Sequence, residues 1–418
     1  MLDRTKTPAI NPVEHIRFVA PERVVVGPFT ELLWVKDVDD EAVKIDFIFD
    51  AGKLRDKKII AALTGELLLS GTPEMSSTEF NEAIDLLGGF VNVEVGPEDA
   101  AVSVYGLTST IAELIPLVMD AIINANFSEK EFEQEVQTSK QAFLIAQEKV
   151  STLARRAFVE NLLGNTDYGR LTQLEDFSSV DRNSLLNFHK AYYLKGLVKI
   201  CVVGNIDVSI VEELVQRSKY ICADQEFSFE YPFETKPTTV YVEKEGAVQT
   251  AIRIGRILFN RTHEEYISFS VLNTIFGGYF GSRLMSNIRE DKGYTYGIGS
   301  GIAQFRESGY FFISTEVGKD VADAALSEIK KEMERLRNDV IPTEELELVR
   351  SYSIGKLLKG SDGPFAMMDR YLTVERFGMD LSHYDKVIQT IRTITPEKLQ
   401  ALAKKYLIWG EMVVVKAG

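Results

Sequence analysis

Residues Phe276 to Ser300 read FGGYFGSRLMSNIREDKGYTYGIGS. Phe280, Leu284, Met285 and Ile288 recur at the spacing of one buried helical face, so Arg289 falls just beside that face near the helix end. Gly293 then permits a sharp exit into a strand that carries Tyr296. A guanidinium and a phenol are thereby expected to converge on one point. Taken singly, Arg289 fits a solvated cation at a helix C-terminus and Tyr296 a strand aromatic that fills a core. Their spacing, in the company of Gly277, Gly278 and Gly293, favours a shared site.

Working outward, the chain repeats itself. Val180–Gly204 (VDRNSLLNFHKAYYLKGLVKICVVG) and Ile394–Gly418 (ITPEKLQALAKKYLIWGEMVVVKAG) align without gaps at an offset of 214 (394 − 180), with Leu185, Lys190, Tyr192, Gly196 and Gly204 meeting Leu399, Lys404, Tyr406, Gly410 and Gly418. The same offset lays Phe127–Gln134 on Ile341–Leu348, and both segments look like acidic helix starts. Two homologous domains follow, 1–223 and 240–418, joined by an aperiodic linker at 224–239 that holds two prolines.

Both domains read as α+β. Val43, Ile45, Phe47 and Phe49 alternate with Lys44, Asp46, Ile48 and Asp50, the period of a half-buried strand. Val91–Val95 and Ala101–Tyr105 flank the turn Gly96-Pro97-Glu98-Asp99 as a hairpin. Ile111, Leu114, Ile115, Val118 and Ile122 mark an amphipathic helix. In the second domain Ile252 and Ile254 mark a strand, a helix runs from about Glu264 to Phe276, and strands lie near Tyr296–Ile302 and Gly309–Val317. This order predicts, in each domain, a mainly antiparallel sheet with helices packed on one face.

Composition narrows the function. With 418 residues, 45% apolar content and a formal charge of -15, the chain can bury large cores but is a poor partner for nucleic-acid phosphates or an anionic membrane surface. No apolar run is long enough for a membrane span, and the polar start lacks a secretory signal, so a cytoplasmic place is expected, with the periplasm left open. Cys201 and Cys222 are taken as free thiols. Lys359–Met368 (KGSDGPFAMM) reads as a flexible loop whose Phe365, Met367 and Met368 could touch a peptide, or as an ordinary inter-helix connection.

The segment quoted first resembles the second-half signature of the insulinase/pitrilysin family of zinc peptidases, which includes the mitochondrial processing peptidases. Its glycine cluster, Ser282-Arg283-Leu284, Arg289-Glu290 and Tyr296 carry the likeness, and Leu86-Leu87-Gly88-Gly89 with Asn92 carries it into the first half. The resemblance implies that Arg289 and Tyr296 grip a substrate peptide carbonyl and support charge on the tetrahedral intermediate.

Active members of that family hold zinc through H-x-x-E-H. With Gly71-Thr72 as anchor, those three positions fall on Ala62, Gly65 and Glu66, and a further glutamate ligand would fall near Ala142. None of the motif residues is present. The four histidines, His15, His189, His263 and His383, are too dispersed to pair on one helix turn. No metal ligands are therefore assigned to this chain. The expected function is that of a non-catalytic subunit which supplies Arg289 and Tyr296 to a homologous zinc-bearing partner acting on unfolded peptides. Two rivals stand beside it: an inactive peptide-binding or scaffold homodimer, and a hydrolase centred on Glu66.

Overall fold

The computed structural model describes residues 13–36, 38–55, 59–164, 166–225 and 236–418. Six strands form the first sheet: β1 (Glu22–Gly27), β2 (Thr30–Val35), β3 (Ala42–Phe49), β4 (Phe90–Val95), β5 (Ala100–Leu107) and β6 (Leu197–Val203). Five form the second: β7 (Thr238–Val242), β8 (Gln249–Leu258), β9 (Ile298–Gln304), β10 (Gly309–Gly318) and β11 (Val413–Ala417). Of the expected linker, 226–235 lies outside the described residues, and β7 begins inside its last residues.

The duplication is visible in the topology. Leaving β1 aside, the sheets run β2-β6-β3-β5-β4 and β7-β11-β8-β10-β9, the same order of first, fifth, second, fourth and third strand. In each the first strand pairs parallel with the last and the remaining pairings are antiparallel. Helices Glu129–Gln147, Val150–Leu163 and Arg182–Phe188 start 214 residues (343 − 129) before Thr343–Lys359, Pro364–Glu375 and Pro396–Tyr406. One offset thus orders helices as well as sequence.

Each sheet buries one face under its own helices. Val43, Ile45, Phe47 and Phe49 pack with Leu114, Val118 and Ile122 of helix Ile111–Ile123 in the first half, and Ile252, Ile254, Phe311 and Ile313 pack with Ile329 and Met333 of helix Ala322–Asn338 in the second. The opposite faces are covered by exchange. Helix Val150–Leu163 sets Ala154, Phe158 and Leu162 against Ala251, Val413 and Val415 of the second sheet. Its repeat equivalent, helix Pro364–Glu375, sets Met368 and Tyr371 against Leu33, Val35, Cys201 and Val203 of the first.

The exchange corrects one expectation and settles another. β3 is buried on both faces, because helix Pro364–Glu375 roofs its polar side. There Lys44 and Asp46, 8% and 6% exposed, pair at 2.9 Å, and Lys44 reaches Asp369 at 3.2 Å. Of the two readings of Lys359–Met368, the structure shows the inter-helix connection, and it withdraws Met368 from any peptide contact. Helix Thr343–Lys359 ends at Lys359, the next helix starts at Pro364, and Met368 is 1% exposed in the inter-half core.

A buried ion cluster ties the halves together. Glu98, in the expected β4–β5 turn, is 1% exposed and accepts from the Tyr168 hydroxyl, from the Arg306 backbone N–H at 2.9 Å and from the Arg376 guanidinium. Burial alone would raise its pKa. The bonds from Arg306 and Tyr168 and the Arg376 charge outweigh that and hold the carboxyl below its ordinary value. Cys201 is a buried and Cys222 a half-buried free thiol.

Candidate functional site

The structure brings Arg289 and Tyr296 together. Helix Tyr266–Asn273 runs into a wide π-helical turn, Thr274–Gly278, where a Cβ on Gly277 would meet Ser300 Oγ at 2.6 Å; only glycine lets this turn press against β9. Tyr279 then adopts extended backbone and stops the helix. The chain re-enters helix at Arg283, whose guanidinium binds Glu345 at 2.9 and 2.8 Å and fixes the new start. A second π-helical turn, Met285–Asp291, carries Arg289, and wide turns of this kind gather at functional sites. Gly293, with φ of +66°, makes the expected sharp exit.

Two details differ from expectation. Phe280 is not on the buried helical face: the break at Tyr279 places it in the turn ahead of the helix, 63% exposed. Tyr296 is not in a strand. It stands just before β9, 90% exposed, at the crest of a turn locked by Thr295, whose hydroxyl donates to the Glu316 carbonyl at 2.7 Å and accepts from the Gly297 N–H at 3.0 Å. Thr315 donates to the Gly297 carbonyl at 3.0 Å from β10.

The guanidinium carbon of Arg289 lies 4.8 Å from the Phe280 ring centroid and 5.0 Å from that of Tyr296. Two aromatic faces therefore hold the cation in place without neutralising it. Among the described residues no carboxylate forms an ion pair with Arg289, so its donors stay available. Sequence reasoning missed Phe280 as the second wall. Its signal was the Gly277-Gly278 pair just before it, which breaks the helical register on which a buried Phe280 depends.

The three positions expected for the motif from the sequence register lie on helix Ile60–Leu67. Ala62 is half-buried, Gly65 buried and Glu66 exposed. A Cβ on Gly65 would lie 2.2 Å from Val95 Cγ2, so β4 fills the space a side chain there would need. Ala142, on helix Glu129–Gln147, is exposed. Among the described residues no group of three or more His, Cys, Asp or Glu side chains is placed to hold a metal ion. His189 is buried and bonds the Ile122 carbonyl at 2.7 Å, and burial lowers its pKa: it is a structural residue.

Comparison with known proteins gives the family. Residues 33–172 match the family model described as Insulinase (Peptidase family M16), and residues 179–352 match the model described as Peptidase M16 inactive domain. The chain belongs to the insulinase family. Relatives of this insulinase-family chain include an uncharacterized zinc protease, YmxG, of Bacillus subtilis (strain 168), 24% identical over 81% of this chain and 83% of that one. Another is an uncharacterized zinc protease of Rickettsia bellii (strain RML369-C), 25% identical over 70% of this chain and 71% of that one.

Among solved structures, a peptidase M16 inactive domain from Pseudomonas fluorescens superposes with a TM-score of 0.86 at 20% identity, covering 96% of this chain and 98% of that chain. A protease from Helicobacter pylori gives 0.84 at 17%, covering 96% and 100%. The insulinase-family zinc group does not fit the residues present here. Alanine and glycine offer no ligand, Glu66 faces solvent without a histidine beside it, and Val95 closes the middle position.

Proposed function

We propose that this chain is the non-catalytic subunit of a two-chain insulinase-family peptidase, with domains at 1–223 and 240–418, acting in the cytoplasm on unfolded peptides beside a homologous zinc-bearing partner. The observation that carries this reading is a contrast within one chain. The Arg289–Phe280–Tyr296 cluster is open and unneutralised, while the zinc-motif positions are packed shut. A chain that had lost all chemistry would have no need to keep a solvent-facing cation clamped between two exposed rings.

In this reading an extended peptide lies beside Tyr296, which stands just before β9, the last strand in the order of the second sheet. The Arg289 guanidinium donates to a peptide carbonyl oxygen and stabilises it as negative charge develops, and the Tyr296 hydroxyl donates a second bond. Water activation belongs to the partner. This chain contributes binding, orientation and charge stabilisation.

Co-expression with a family member that carries H-x-x-E-H tests the assignment. The expected product is a heterodimer containing zinc in one subunit only, with neither chain alone cleaving peptides. A stable homodimer that ignores the zinc-bearing relative would favour the scaffold reading. Peptide hydrolysis by this chain alone would revive the Glu66 hydrolase.

A further inference from the structure

Arg253 sits in the middle of β8, opposite Ser314 of β10 and Val415 of β11. Its neighbours Ile252 and Ile254 point into the core, so Arg253 points to the other face of the sheet, the face crossed by helix Val150–Leu163. There it lines a groove of about 420 Å³ together with Ser151, Ser314, Thr295, Tyr296 and Glu316. The groove therefore runs from the Tyr296 side chain to a guanidinium that the Arg289 cluster does not include. Ser151 lies in the first turn of the helix, and Arg155 follows one turn later on the same helix face.

The charge balance of this groove is unusual. Arg253 is half-buried in a central strand and rests its guanidinium over the Phe312 ring at 5.9 Å. Burial lowers its pKa; Tyr310 opposes that shift, the Arg155 charge lowers the pKa again, and Glu316 opposes it least. Among the described residues neither Arg253 nor Arg155 has an ion-pair partner, and Glu316 is exposed and does not close on either. A half-buried cation without a counter-ion is costly in the free protein unless an anion arrives with a ligand. The serine hydroxyls of Ser151 and Ser314 add donors to the same wall.

We propose that Arg253 and Arg155 form an anion subsite for a carboxylate of the bound peptide, an assignment that rests on the peptide-binding reading given above. The carboxylate comes either from the peptide C-terminus or from an acidic side chain. In both cases the main chain lies at Tyr296 and the carboxylate reaches along the groove to Arg253, so the subsite selects acidic or C-terminal segments.

Fluorescence anisotropy on the full chain tests this with three labelled decapeptides built from Gly, Ser and Ala: a free C-terminal acid, its amide, and an amide with one internal Glu. The acid or the Glu peptide is expected to bind about tenfold or more tightly than the plain amide. Whichever binds better identifies the source of the carboxylate. R253Q and R155Q should each shrink the preference, and the double variant should abolish it. Equal affinity of the wild-type chain for all three peptides overturns the proposal without any variant being made, and so does a preference that survives in the double variant. R289A separates the two layers. If the acid preference stands but R289A weakens none of the peptides, the peptide-clamp reading fails and the anion subsite survives.

Discussion

A side chain on Gly65 would begin 2.2 Å from a methyl group of Val95, which makes this helix–strand contact as close as backbone and branched side chain allow. In the register anchored on Gly71-Thr72, the position expected for the family's catalytic glutamate is Gly65, which is buried here. Replacing Gly65 sets two effects against each other. Alanine in a helix gains about 1 kcal/mol over glycine, whereas overpacking a stiff valine costs about 1–3 kcal/mol. G65A is therefore expected to be less stable than wild type in urea denaturation, and V95A in that background should recover most of the loss. A G65A chain more stable than wild type would show that the site is open after all.

Glu98 concentrates the coupling between the halves. It sits in the first half, while Arg306 and Arg376 approach from the second. Removing one partner of a buried ion cluster leaves the others uncompensated, at about 3–5 kcal/mol. E98A should lower the stability of the whole chain by that order in chemical denaturation. A loss below about 1 kcal/mol would mean that the apolar exchange of helices suffices to hold the halves together.

Asp50 gives a pH signature. Burial raises its carboxyl from 3.8 to about 6 despite the opposing Arg55 charge. The folded chain therefore binds more protons than the unfolded chain between about pH 4 and 6, and stability falls as pH rises through that window. The full effect is about 3 kcal/mol, present above pH 6 and absent below pH 4. In D50N the contribution disappears, so the stability of D50N relative to wild type should rise from pH 4 to pH 7. A pH-independent difference between the two chains would contradict the assignment.

Phe280 should matter to function although it touches no reacting atom. It holds one face of the Arg289 guanidinium, and cation–π contacts at exposed sites contribute about 0.5–1 kcal/mol. In a reconstituted pair, F280A should lower kcat/KM by roughly twofold to fivefold, well short of the effect of R289A, and F280Y should restore it. Loss of activity in F280A equal to that in R289A would place Phe280 on the substrate itself.

Much of this was legible in the sequence. The 214-residue offset seen in Val180–Gly204 returns as matched helix starts, and the Arg289–Tyr296 spacing returns as a 5.0 Å approach. What escaped were long-range effects. The alternation in β3 shows one apolar face, but only the fold reveals that a helix 320 residues on (364 − 44) covers Lys44. Phe280 keeps helical spacing with Leu284 on paper, yet a single extended residue, Tyr279, removes it from the helix. Arg253 looked like any charged residue between two isoleucines, because nothing local says that it will form no ion pair among the described residues.

The most direct test of the account is peptide turnover by the zinc-bearing partner, measured with the wild-type chain, with R289A and with Y296F. The account predicts that turnover requires this chain and falls by about a hundredfold or more in R289A, the scale of losing one donor to a developing oxyanion, with a substantial fall in Y296F. Turnover by the partner unaffected by both substitutions would contradict it.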